Sequence, residues 1–308
     1  MSKIATREAY GKSLARLGLE NENIVVLDAD LSKSTKTAEF KKVCPERFIN
    51  VGIAEQNLAG ISAGLATTGK IPFMSTFAMF AAGRAFEIIR NAICYPNLNV
   101  KVCATHAGLT VGADGASHQA IEDLALMRSI PNMVVLNPAD AVSADKLIEA
   151  AVEYNGPVYV RLGRAPVPVV YNEASKIEIG KANTIKEGND VTIIATGIMI
   201  AEAMTAAETL EAEGISVRIV DMHTIKPLDN EAVIKAAKET KGIVTAEEHT
   251  ILGGLGSAVA EVLVENHPTK MRRIGVKDTF GESGTPAELL EKYGLTANDI
   301  VKAVKEVL

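Results

Sequence analysis

Short aliphatic runs alternate with amphipathic stretches along most of the chain. Residues 24–27, 71–75, 100–105, 133–136 and 158–161 are apolar runs of strand length. Between them, 6–17, 58–67, 79–93, 121–129 and 141–154 repeat apolar residues at helical spacing. Gly18 stands where a helix over 6–17 needs a C-terminal cap. Strand and helix in regular succession predict a parallel sheet with helices on both faces. The rhythm breaks from Leu162 to Asp190, where Arg164-Ala165-Pro166-Val167-Pro168 has the look of a linker. It resumes with strands over 191–196, 217–221 and 243–247 and helices over 200–213, 230–240 and 257–266. The pattern predicts two doubly wound α/β domains with mainly parallel sheets, residues 1–165 and 189–308, joined by a linker over 166–188.

Composition narrows this picture. Aromatic residues make up 4% of the 308, with no Trp, so the cores must be mainly Ala, Val, Ile and Leu. That bias suits buried parallel sheets. A net charge of -6 without a basic block speaks against nucleic acid, whose binding needs a dense Lys/Arg face. An anionic substrate would then depend on a few local cations. Cys44, Cys94 and Cys103 have neither CxxC nor metal-ligand spacing, as expected of a reduced chain. The opening residues form no apolar leader, and no run approaches the roughly 20 apolar residues of a membrane span. These features predict a soluble, cytoplasmic protein without membrane contact.

In open α/β sheets, ligands collect at the loops after the carboxyl ends of strands. In the first domain those loops hold Asp28-Ala29-Asp30, Thr105-His106, Gly112-Ala113-Asp114-Gly115 and Ser117-His118-Gln119. The second domain is poorer there, although Glu247-Glu248-His249 and Gly253-Gly254 stand out. The chemistry is therefore expected in the first domain. Glu55 lies near the start of a helix rich in Ala, Gly and Leu. A carboxylate there could simply favour the helix dipole, but apolar surroundings call for a specific partner. Phe73, Phe77 and Phe80 concentrate three of seven Phe within eight residues, either as core packing or as a wall for a planar ligand. Two of the five histidines, His106 and His118, share one Gly-rich loop with Asp114, which suggests a polyol or phosphate site. Zinc is a poor alternative without a Cys or a third His at ligand spacing, and the glycines match neither a dinucleotide fingerprint nor a P-loop. Arg164, just past the last strand of the domain, is a candidate phosphate fork.

Taken in order, these motifs resemble the transketolase family over nearly the whole chain. Ala5-Thr6-Arg7, Asp28-Ala29-Asp30-Leu31, Gly52-Ile53-Ala54-Glu55-Gln56, Ser75-Thr76-Phe77, the loop from Thr105 to Gln119 and Pro138-Ala139-Asp140 resemble its pyrimidine-binding domain. Residues from Val191 onward resemble its C-terminal domain, whose role is largely structural. The resemblance implies two-carbon ketol transfer from a ketose phosphate to an aldose phosphate with thiamine diphosphate. It makes Glu55 the catalytic glutamate, which hydrogen-bonds N1′ of the aminopyrimidine and favours the imino form that removes the C2 proton. Phe77 and Phe80 would face the pyrimidine ring, with Asp30 also on the cofactor side. Family members often carry a third aromatic one turn on, where Gly83 stands here. His106 and His118 would read the donor's hydroxyls and carbonyl as catalytic residues, with Asp114 on a sugar hydroxyl. Arg7, Ser34 and Arg164 would clamp the sugar phosphate.

Against the family pattern, this sequence lacks the Gly-Asp-Gly and downstream Asn that grip the diphosphate through a divalent metal. The resemblance therefore implies half an enzyme. No metal ligands are expected in this chain, and a partner, the N-terminal diphosphate-binding subunit, would hold Mg2+ and the diphosphate in an α2β2 assembly. Related readings are the matching half of a deoxyxylulose-phosphate synthase, which uses pyruvate, and a 2-oxo acid dehydrogenase E1 β subunit. The latter leaves Arg164 and the paired histidines unexplained. A scaffold that has lost activity is disfavoured by retention of Glu55, both histidines and Arg164.

Overall fold

A computed structural model describes residues 2–308. Fourteen strands among the described residues are numbered in chain order: β1 (Lys3–Ile4), β2 (Ile24–Asp28), β3 (Phe48–Asn50), β4 (Ile71–Phe77), β5 (Lys101–Thr105), β6 (Val134–Leu136), β7 (Val158–Arg161), β8 (Val167–Pro168), β9 (Asn183–Lys186), β10 (Val191–Ala195), β11 (Val217–Asp221), β12 (Thr224–Lys226), β13 (Ile243–Thr250) and β14 (Met271–Val276). The first sheet runs β12-β6-β7-β5-β4-β2-β3, parallel throughout except for β12. The second runs β14-β13-β10-β11-β9, parallel except for β9. Every residue of β2, β5, β7, β10, β11 and β13 is buried, as expected of strands covered on both faces.

The expectation of α/β layers with mainly parallel sheets holds, with departures from the sequence pattern. Gly18 is no cap: the helix runs Thr6–Glu20, and a side chain at Gly18 would strike the ring of Phe40. The small residue there admits a neighbouring helix. The helix expected over 79–93 is widened twice, by π turns at Phe80–Arg84 and Ile89–Cys94. Strand β9 lies within the stretch read as linker and pairs with β11. Lastly, β12 leaves the second half of the chain to cover the β6 edge of the first sheet. Three residues, Thr224–Lys226, are too few to display a period, so nothing in the sequence pattern announces them.

The edge strand ties the two halves together. Lys226 donates its ammonium to the carbonyls of Arg128 and Ile130 at the end of a first-domain helix. No described helix is long and apolar enough to cross a membrane.

Candidate active site

The carboxyl ends of β2, β4, β5 and β7 deliver the site. After β2, the buried Asp28 carboxylate accepts the hydroxyls of Thr35 and Thr37 at 2.7 and 2.9 Å and the Leu31 amide at 2.5 Å. This fixes the turn over Ser32–Thr35. The Ser34 carbonyl is thereby held where Arg7, in the first turn of its helix, donates to it at 2.8 Å. The contact of Ser34 with Arg7 is thus made by its backbone carbonyl.

The same Arg7 nitrogen lies 3.2 Å from His106 Nε2. Arginine only donates, so Nε2 accepts and the neutral ring carries its proton on Nδ1, which reaches Thr105 Oγ1 at 2.9 Å. Burial, then the charges of Arg7 and Arg164, pushes the His106 pKa down to about 3. His106 is therefore a neutral imidazole at physiological pH. Its backbone takes a positive φ of 58°, uncommon outside glycine, as it leaves β5.

The His106 ring stacks on Phe77 with centroids 3.9 Å apart. Phe77 and Phe80 lie 5.7 Å apart and within 20° of parallel. His118 meets both edge-on, at 6.3 and 5.4 Å. Residues 77, 80, 106 and 118, scattered over four segments, are thus one aromatic cluster. Phe73, by contrast, is fully buried core.

Glu55 begins the helix Glu55–Ala66 and is 4% exposed. Its partner is Arg84, whose Nη1 donates to Oε1 at 3.0 Å. The guanidinium also lies 4.3 Å from the centroid of the Phe80 ring. Sequence reasoning missed Arg84, because the family resemblance directed attention to Gly83, one residue before it. Arg84 closes the π turn that begins at Phe80. An open cleft of 420 Å3 lies at the Glu55 carboxylate, lined also by Gln56, Asn57 and Arg84.

Arg164 follows β7 and donates to the Val111 carbonyl, with Asp114 at 3.7 Å. Arg164 lowers the pKa of Arg7 after desolvation does, so two cations share one small region. Asp30 stands apart. Its carboxylate accepts from Asn50 at 2.9 Å and its backbone, at φ 65°, donates back to Asn50 at 3.1 Å. Arg161, at the end of β7, is buried and donates its Nε to Asp123 and its Nη2 to the carbonyls of Ala120 and Glu248.

Nearly the whole chain matches two family models in succession: "Transketolase, pyrimidine binding domain" over residues 2–169 and "Transketolase, C-terminal domain" over 180–300. The chain belongs to the transketolase family. It is similar to a transketolase C-terminal section from Methanocaldococcus jannaschii, 55% identical over 97% of this chain and 95% of the relative. A solved structure described as "Split gene transketolase, inactive beta4 tetramer" superposes with a TM-score of 0.93 at 63% identity, covering 99% of this chain and 98% of that one. Against the transketolase of Homo sapiens the identity is 40%, over 99% of this chain but 49% of the relative. The chain therefore spans about half the length of animal transketolases and corresponds to the C-terminal section of a split one.

The geometry also tests whether the residues suit the family's cofactor. A buried carboxylate lining a cleft, and linked through Arg84 to the nearer of two near-parallel phenyl rings, suits a protonatable planar pyrimidine. Among the described residues no group of three or more His, Cys, Asp or Glu is placed to hold a metal ion.

Proposed function

We propose that this chain is the C-terminal subunit of a thiamine-diphosphate-dependent transketolase, working with an N-terminal subunit that holds the diphosphate and Mg2+. The continuity of Glu55, the Phe77–Phe80 wall and the two histidines carries this reading. It puts a ring-binding face directly beside polyol-reading groups and the Arg7–Arg164 cations. When bound, the cofactor supplies the carbon nucleophile that cleaves and forms the carbon–carbon bond. Glu55 shares a proton with its pyrimidine ring once Arg84 yields the carboxylate. Phe77 and Phe80 orient that ring. Neutral His106, together with His118, hydrogen-bonds the donor's hydroxyls, Asp114 accepts from one of them, and Arg7 and Arg164 fix its phosphate. Asp30 and the Ser34 carbonyl shape the cofactor and phosphate ends of the site.

The related split-gene chain bears the description of an inactive β4 tetramer, as expected of a subunit lacking its partner. An α2β2 complex restores two sites in this reading. A cytoplasmic place suits three buried, unpaired cysteines. The test gives the assembled enzyme xylulose 5-phosphate with ribose 5-phosphate, and separately pyruvate with glyceraldehyde 3-phosphate. Ketol transfer in the first mixture is the expected result. Turnover confined to the second, with release of carbon dioxide, overturns it in favour of a synthase.

A further inference from the structure

The loop from Gly108 to Ala120 carries Asp114 and His118, yet the groups that hold its two ends converge on the second domain. Glu248, in β13, is 2% exposed, and its Oε1 accepts the Thr110 amide at 2.6 Å. The backbone at Gly108, at φ 82°, passes so close that any side chain there would strike the Glu248 carboxylate. At the far end of the loop, Arg161 Nη2 donates to the Ala120 carbonyl at 3.2 Å and to the Glu248 carbonyl at 2.9 Å. Its Nη1 lies 3.9 Å from Glu248 Oε2, and its Nε donates to Asp123 at 2.9 Å. One residue before that end, Gln119 donates to the Glu282 carbonyl at 2.9 Å.

One buried guanidinium thus faces two buried carboxylates at the domain boundary. Such an arrangement is a costly way to gain stability, because desolvation offsets much of the attraction. Its value here is positional. We infer that Glu248 is a positioning residue: from the second domain its carboxylate holds the Thr110 end of the loop directly and the Ala120 end through Arg161, so that His118 and Asp114 face the aromatic wall and Arg164. The second domain is then a working part of the substrate site. The proposal rests on the transketolase reading for what the loop binds, but not for the loop's attachment.

Glu248→Ala separates the two. Amide hydrogen exchange on the isolated chain is expected to speed up at least tenfold in peptides from the 108–120 loop, with β4 and β10 unchanged. In the assembled enzyme, KM for the ketose phosphate rises about tenfold, the scale of one hydrogen bond to a charged group, while kcat changes less than threefold. Cofactor affinity, measured by calorimetry, stays within twofold. Glu248→Gln keeps an oxygen for Thr110 and loses only the charge, so it restores most of KM and gives a smaller exchange effect at the same peptides. Gln is the deciding variant should Ala not fold. Wild-type exchange over 108–120 in both variants overturns the attachment, and a loosened loop with unchanged KM overturns the positioning role. Absence of ketol transfer in the wild-type assembly fails the functional reading alone, with the exchange result still deciding the attachment.

Discussion

Replacing Arg164 by Ala separates a phosphate contact from a structural one. In the structure, Arg164 is 40% exposed and lies 3.7 Å from Asp114, itself 38% exposed. An ion pair this wet contributes about 0–1 kcal/mol, so the variant's unfolding midpoint should hardly move. A charge-assisted bond to a substrate phosphate contributes roughly 1.5–3 kcal/mol. Losing it lowers kcat/KM about 10- to 100-fold, at about 1.4 kcal/mol per factor of ten. Arg7 remains beside His106 and keeps the loss from being complete. The assay compares phosphorylated donors with their unphosphorylated analogues in the assembled enzyme, wild type against variant. The phosphorylated donors should lose the full factor and the analogues almost none. Equal losses for both, or a large drop in the unfolding midpoint, would refute the phosphate role.

Glu55→Gln preserves shape and hydrogen bonding but cannot share a proton, so cofactor binding should stay within severalfold while deuterium exchange at the cofactor's C2 stops; wild-type exchange would remove Glu55 from its role. A second prediction concerns Asp221, which is fully buried, accepts the Tyr171 hydroxyl at 2.6 Å and has its pKa pushed up to about 7 by burial. Between about pH 4 and 7 the folded chain therefore holds a proton that the unfolded chain has released, and stability falls as pH rises through that window. Burial acts on His106 and His223 in the opposite sense, lowering them to about 3 and about 4, so their contribution is lost as pH falls below about 6.5. Comparing wild type with Asp221→Asn by urea unfolding from pH 5 to 8 cancels the histidines. The variant should gain on the wild type from pH 5 to about 7 and then level off, and a flat difference throughout would refute the assignment.

Much of the fold was legible because it rests on period. Strands buried on both faces appear as unbroken aliphatic runs, and β7 falls where the sequence places it, over 158–161. The candidate site was legible as a list of strand-end residues. Its geometry was not. Arg84 meets Glu55 across 29 residues of sequence, a pairing that no helical period announces in advance. Gly18 carries the residue type of a cap but serves as a contact surface for Phe40, a distinction set by a helix distant in sequence. The second domain also looked poor in chemistry. Glu248 gains its place at the loop of residues 108–120 only through the packing of β13 against the first domain. In each case the deciding neighbour comes from elsewhere in the chain.

The central claim is that this chain holds one end of a cofactor and needs a partner for the other. An aromatic stack adds about 0.5–1.5 kcal/mol beyond area burial, too little to retain a strongly hydrated diphosphate anion. The direct measurement is ketol transfer from xylulose 5-phosphate to ribose 5-phosphate with thiamine diphosphate and magnesium in excess. It is run on the purified chain alone and then during titration with the N-terminal subunit. No turnover alone, and activity that rises and saturates at equimolar partner, is the predicted result. Robust turnover from the chain alone, shown free of partner by mass spectrometry, would contradict it.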